Sequence, residues 1–191
     1  MIKKDFISEK LEQSISIKKR LISLSNTINK VCEVIISSIN SGGKVLLFGN
    51  GGSASDAQHI AAELSGQFYN KSRPGIAALS LTTNTSNLTA ISNDFDFGSV
   101  FSRQLEGLLK REDIVIGFST SGNSKNVING IEEAKRVGAT TVAFTGRGGK
   151  LGKLVDFNLS VDSNDTPRIQ ECHIFLGHLI CEIVESQLFD E

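Results

Sequence analysis

Residues 44–63, KVLLFGNGGSASDAQHIAAE, decide how the chain is read. KVLLF (44–48) is a short apolar run of strand length, GNGGS (49–53) is a glycine-rich turn, and a helical pattern runs from about Ser53 to Phe68. Strand, tight turn and helix in that order form the first half of a βαβ unit. GNGGSA also fits G-x-G-x-x-G/A, the pattern of dinucleotide-binding loops. That reading needs a carboxylate at the end of the next strand, about 20 residues on, to hold a ribose. The next strand ends ALSLTTN (78–84), with no acid. The glycines therefore favour close approach of backbone to some other ligand.

The alternation continues outward. IAALSL (76–81), DIVIGF (113–118), TTVAFTG (140–146) and DFNLSV (156–161) read as strands. Helices are expected over about 124–137 and from Pro167 to Gln187, proline being suited to a first helical position. Buried strands alternating with helices predict an α/β fold with a parallel sheet covered on both faces. Residues 3–40 precede the sheet and carry helical spacing in two segments. Phe6, Leu11, Ile15, Leu21 and Leu24 mark the first; Ile28, Val31, Val34, Ile35 and Ile39 mark the second, stopped by Gly42-Gly43. So many apolar positions suggest that part of this extension serves an oligomer interface. One domain over 1–191 is expected, with helices over 1–42 and the α/β core over 43–191.

Composition narrows the class. A net charge of −1 and 39% hydrophobic residues describe a balanced globular chain, with no basic excess for nucleic acid. No apolar run approaches the roughly 20 residues of a membrane span, and the mixed-charge start MIKKDFISEKLEQS lacks a secretory apolar segment. A cytoplasmic location is the expectation. Cys32, Cys172 and Cys181 form no CxxC pair and read as reduced small hydrophobes.

Ligands of open parallel sheets sit beyond the carboxyl ends of strands, where helix N-termini present free N–H groups. Two strand ends qualify: the loop Asn50, Gly51, Gly52, Ser53, and the loop STSGNS (119–124). Ser119, Thr120, Ser121 and Ser124 give four hydroxyls in six residues, a cradle of neutral donors suited to a phosphate. Helix capping explains one such hydroxyl, not four. His59 and Glu63 stand at i and i+4, on one helix face. On the last helix His178 and Glu182 repeat that spacing. An apolar stripe through Cys172, Phe175, Leu179 and Ile183 passes beside His178, which suits a buried core histidine and leaves His173 toward solvent.

Taken together, these residues resemble the sugar isomerase (SIS) domain, and within it the phosphoheptose isomerases. The resemblance spans nearly the whole chain through GNGGSASDAQHIAAEL (49–64), NKSRPGIAAL (70–79), SNDFDFGSVFSRQLE (92–106), STSGNSKNV (119–127) and RIQECH (168–173) with His178. It implies a flavodoxin-like five-stranded parallel sheet and a cytoplasmic homotetramer with active sites at subunit interfaces. The implied reaction interconverts D-sedoheptulose 7-phosphate and D-glycero-D-manno-heptose 7-phosphate, the entry step to ADP-heptose for lipopolysaccharide and other surface glycans. Glu63 would be the base and His178 its acid partner. Zinc would be held by His59, Glu63, Gln170 and His178, so the two roles of Glu63 compete. Ser119, Thr120, Ser121 and Ser124 would hold the phosphate; Asn50, Gly51, Gly52, Ser53, Glu63, Asn93, Asp94 and Gln170 would contact the sugar. On the residues alone, Asn93-Asp94 is equally a helix-terminating turn. Gln170 and His178 are eight residues apart, roughly 12 Å along an ideal helix. Either Gln170 lies in an irregular first turn or a neighbouring subunit supplies one ligand. Some family members carry Asp directly before the arginine of RIQE; this chain has Pro167 there and its acid at Asp165.

Three alternatives share the loops, one of them isomerisation of a different ketose phosphate in a pocket of different depth. Relatives that bind the replication initiator DnaA lack the glutamate of HIAAE and the histidine at 178, both present here. Sugar-phosphate sensors carry an added DNA-binding domain, for which this chain leaves no room.

Overall fold

The structure, a computed structural model, describes residues 4–189. Its sheet consists of β1 (Val45–Phe48), β2 (Ala78–Ser80), β3 (Ile114–Ser119), β4 (Thr140–Thr145) and β5 (Phe157–Ser160). All pairings are parallel and the order is β2-β1-β3-β4-β5. That is the flavodoxin-like winding, in which the direction of strand addition reverses between β1 and β3. Alternate residues of each strand serve opposite faces. Val45, Leu47, Ile114, Ile116, Phe118, Val142 and Phe144 face one core; Leu46, Phe48, Val115 and Ala143 face the other.

The first core is covered by α2 (Ser25–Asn40), α3 (Gly52–Ser65) and α7 (Thr166–Phe189), the second by α5 (Ser102–Leu108) and α6 (Lys125–Val137). Helices leave β1 and β3 toward opposite faces, so the two loops that follow these strands flank one crevice. α1 (Lys4–Arg20) reaches α2 through a 3₁₀ turn at Leu21–Leu24. It buries only Ser14 and Ile17 among its own residues and leaves Phe6, Ile7 and Leu11 more than half exposed.

Several expectations shift. Residues 82–112 hold two helices that the sequence reading did not assign, α4 (Thr85–Asp94) and α5. α4 buries none of its residues, so it carries no apolar period, and α5 has only seven residues. α3 stops at Ser65, three residues short of Phe68, and the chain then runs irregularly to Gly75. α7 reaches 24 residues and contains an 18-residue stretch of mean hydropathy 1.2, long and apolar enough by composition to cross a membrane. It nevertheless packs as a core helix, burying Ile169, Cys172, Leu176, Ile180, Cys181 and Val184.

The placement of the α7 histidines is reversed. His173 is fully buried, edge-on to the stacked rings of Phe118 and Phe144, with its Nε2 3.2 Å from the Thr145 carbonyl. His178 is partly exposed, and Phe175 of the expected stripe is 46% exposed. A helix that is apolar nearly all round does not declare which side meets the core. The three cysteines are buried and free, and burial pushes Cys32 and Cys181 up to about 12.

Candidate active site

At the crevice, the loop after β1 is shaped by Gly51, whose φ of 56° lies where a side chain is strained. Asn50 and Asn126 exchange two amide hydrogen bonds of 2.8 Å, tying this loop to the first turn of α6. Asn126 is almost fully buried and was missed in the sequence, although it directly follows STSGNSK. Ser53 is buried beneath the turn.

Across the crevice, Ser119 Oγ lies 2.9 Å from Ser124 Oγ and 3.5 Å from Ser121 Oγ. Ser124 occupies the N-cap position of α6, yet its side chain makes no capping bond. Capping therefore does not account for these hydroxyls, which turn toward one another at the mouth of a helix N-terminus. Thr120 joins them half-buried. Neutral donors grouped at a helix N-terminus, with no lysine in the loop itself, suit an anion.

Asn93 and Asp94 close α4, exposed and bonded to each other at 2.9 Å, the arrangement of a helix-ending turn. The segment after them returns to α6, where Asp96 lies 3.8 Å from Lys125 Nζ.

A second cluster lies further along the helices. His59 Nε2 is 3.0 Å from Glu63 Oε1 and 3.2 Å from His178 Nε2, and the three ligand atoms lie within 4.8 Å of one another. One imidazole nitrogen has either one proton or one lone pair, so His59 Nε2 cannot bond well to both partners at once. Three donors converging on one point suit a shared cation. Ligands about 2.0–2.1 Å from a tetrahedral zinc stand roughly 3.3 Å apart, close to the spacing here. Two imidazoles and a carboxylate fit zinc. Asp56, one turn before His59, was also missed; burial raises its carboxyl to about 6 against the opposing effect of His59, and its Oδ2 is buried without a partner.

α3 and α7 run parallel in near-constant register. A Cβ on Gly52 would meet the Gln170 amide, one on Gly177 would meet Ile60 Cδ1 at 2.2 Å, and His59 faces His178. That register decides the fate of Gln170. It belongs to the same regular helix as His178, about 12 Å away, and lies against the glycine loop. The irregular first turn is ruled out, and in this chain the Gln170 amide lies at Gly52 while His178 meets His59. By the same geometry Glu63 stands eleven residues beyond Gly52, roughly 16 Å along α3. Gln170 with the glycine loop makes one group and His59, Glu63 and His178 another, two halves set apart along the helices.

Fold and crevice place the molecule among sugar-phosphate-type SIS proteins, and the SIS domain matches residues 11–146. The chain belongs to that family. It is 52% identical over 192 residues to the phosphoheptose isomerase of Sulfurimonas denitrificans, covering 98% of each chain. The phosphoheptose isomerase GmhA of Neisseria gonorrhoeae superposes with a TM-score of 0.90 at 40% identity, over 95% of this chain and 98% of that one. A phosphoheptose isomerase from Francisella tularensis gives 0.93 at 32% identity, over 97% and 100%. Its branch of the family is thus that of the phosphoheptose isomerases, and each of these relatives bears that name, which gives the DnaA-binding alternative no support.

Proposed function

We infer that the chain interconverts D-sedoheptulose 7-phosphate and D-glycero-D-manno-heptose 7-phosphate through an enediol(ate), as the first step toward ADP-heptose. The observation that carries this reading is the convergence of Glu63 with His59 and His178, in a chain that also holds a lysine-free hydroxyl cradle. Moving a proton between adjacent carbons needs a carboxylate base and an acid near the sugar oxygens. Glu63 takes the proton and returns it to the neighbouring carbon, and His178 exchanges a proton with the sugar oxygens. Ser119, Thr120, Ser121 and Ser124 hold the phosphate, while Asn50, Gly51, Gly52, Ser53 and Gln170 line the sugar. Asn93 and Asp94 contribute from the end of α4.

Zinc held by His59, Glu63 and His178 would supply Lewis-acid polarisation of a sugar oxygen. The separation of the half-sites favours a homotetramer in which the cradle of one copy meets the Glu63 cluster of another, with Gln170 completing the ligand set across the interface. The open flank of the cluster (His59 side chain 48% exposed) and the bare apolar face of α1 leave room for such neighbours. Residence in the cytoplasm follows from the same reading.

The decisive experiment incubates purified protein with sedoheptulose 7-phosphate, with and without chelator, and follows the aldose. No aldose under either condition overturns the assignment. Mixing separately inactive Glu63→Gln and Gln170→Ala proteins, then unfolding and refolding them together, tests the shared site: returning activity requires residues from different copies.

A further inference from the structure

Beyond the last turn of α3 lies a buried ion pair that the chemistry above does not use. The Arg73 side chain is 1% exposed and that of Glu185 4% exposed, and Arg73 Nε donates to Glu185 Oε2. The rest of the guanidinium is directed at main chain. Nη2 donates to the carbonyl of Glu63 at 2.7 Å, and Nη1 to those of Leu64 and Pro74 at 2.9 Å. Glu185 in turn accepts backbone N–H groups from Phe68 (3.0 Å), Tyr69 (2.6 Å) and Asn70 (2.8 Å). Burial alone would raise this carboxyl, but the guanidinium and the three N–H groups overcome it and hold it at about 2.

The carbonyls of a helix's last turn have no partner within the helix. Arg73 fills that vacancy at Glu63 itself, and it is anchored in doing so to α7, two turns beyond His178. Nothing in the ion pair touches the reacting groups, yet it fixes the two helices whose side chains must meet. We propose that Arg73, held by Glu185, is a positioning residue that sets Glu63 against His59 and His178. The inference rests on the isomerase and metal reading of that cluster.

A clamp that served stability alone would lower the melting temperature and leave the cluster's chemistry intact. Positioning predicts something else. Arg73→Lys keeps the charge opposite Glu185 but loses the fork that reaches the Glu63 and Leu64 carbonyls together. In the folded full-length variant, checked by circular dichroism, kcat should fall at least tenfold with KM within twofold. Zinc affinity, titrated calorimetrically with the metal alone, should fall at least tenfold. Ile131→Val, in the core on the other face of the sheet, serves as a destabilised control and should keep both values. Should Arg73→Lys fail to fold, the double variant Arg73→Gln/Glu185→Gln removes fork and charges together without stranding a buried ion, and the same losses are expected. Wild-type kcat and zinc affinity in the folded variant, or losses matched by the control, overturn the proposal. Absence of turnover and of zinc binding in the unsubstituted protein would instead overturn the functional reading beneath it, and the proposal with it.

Discussion

Lowering the pH from 7 to 4 should cost this fold stability through His173, a residue outside the proposed chemistry. Burial holds its imidazole near 4, against an ordinary 6.5, despite the opposing bond to the Thr145 carbonyl. The folded protein therefore keeps it neutral, while the unfolded chain takes up a proton below 6.5. Its stability contribution is intact above 6.5 and is lost as the pH falls to about 4. At about 1.36 kcal/mol per pH unit, the loss approaches roughly 3 kcal/mol. His173→Leu removes the titration and a buried Nδ1 that has no partner. The Thr145 carbonyl still accepts the Val161 N–H at 2.8 Å, so the variant should stay within about 1.5 kcal/mol of the parent at pH 7. The assay is urea unfolding of both proteins from pH 8 to 4 at one protomer concentration. Asp56, raised to about 6, acts in the opposite direction over part of this window, but it is common to both proteins and cancels in the difference. Glu185, held at about 2, begins to lose its contribution as the pH falls through about 4.5, at the acid end of the window, but it too is common to both proteins and cancels in the difference. The parent should lose about 3 kcal/mol more than the variant. Parallel curves would refute the assignment of His173 as a buried neutral base.

Glu63→Gln should lower turnover of sedoheptulose 7-phosphate by roughly 10²–10⁴-fold, the usual range for a general base, with an unchanged circular dichroism spectrum; near-normal activity removes Glu63 from that role. Ser121→Ala combined with Ser124→Ala should raise KM at least tenfold with little change in kcat, since each hydroxyl bond to a charged phosphate is worth about 1.5–3 kcal/mol. An unchanged KM would locate the phosphate elsewhere. Gly177→Ala puts a methyl 2.2 Å from Ile60 Cδ1, which should destabilise the fold by about 1–3 kcal/mol and weaken zinc binding as α3 and α7 part. Adding Ile60→Val should restore part of both, and a singly substituted protein with full zinc affinity would show that the close approach is not needed.

Much of this was legible in the chain. KVLLF, DIVIGF and TTVAFTG are apolar runs too short for helices, so they gave the parallel sheet, and the composition of STSGNS singled out the loop whose hydroxyls cluster at the start of α6. α4 and α5 were hidden because an exposed or seven-residue helix leaves no apolar period to read. His59 and Glu63 were visible as a pair through helical spacing, which is local. Their meeting with His178 is 119 positions away in sequence and needed the parallel register of α3 and α7. Asn126 and Arg73 were silent for the same reason, since their meaning lies in carbonyls and amides brought to them by other elements.

The sequence by itself determined the βα alternation, the two loops that flank the crevice and the family, because strand length, glycine position and helical period are properties of neighbouring residues. Only the tertiary structure decided which histidine is buried, because α7 is apolar on nearly every side and its packing partners alone select the inner face. It also decided that Gln170 meets the glycine loop and His178 meets His59, since one regular helix carries both and its register against α3 assigns each a different neighbour.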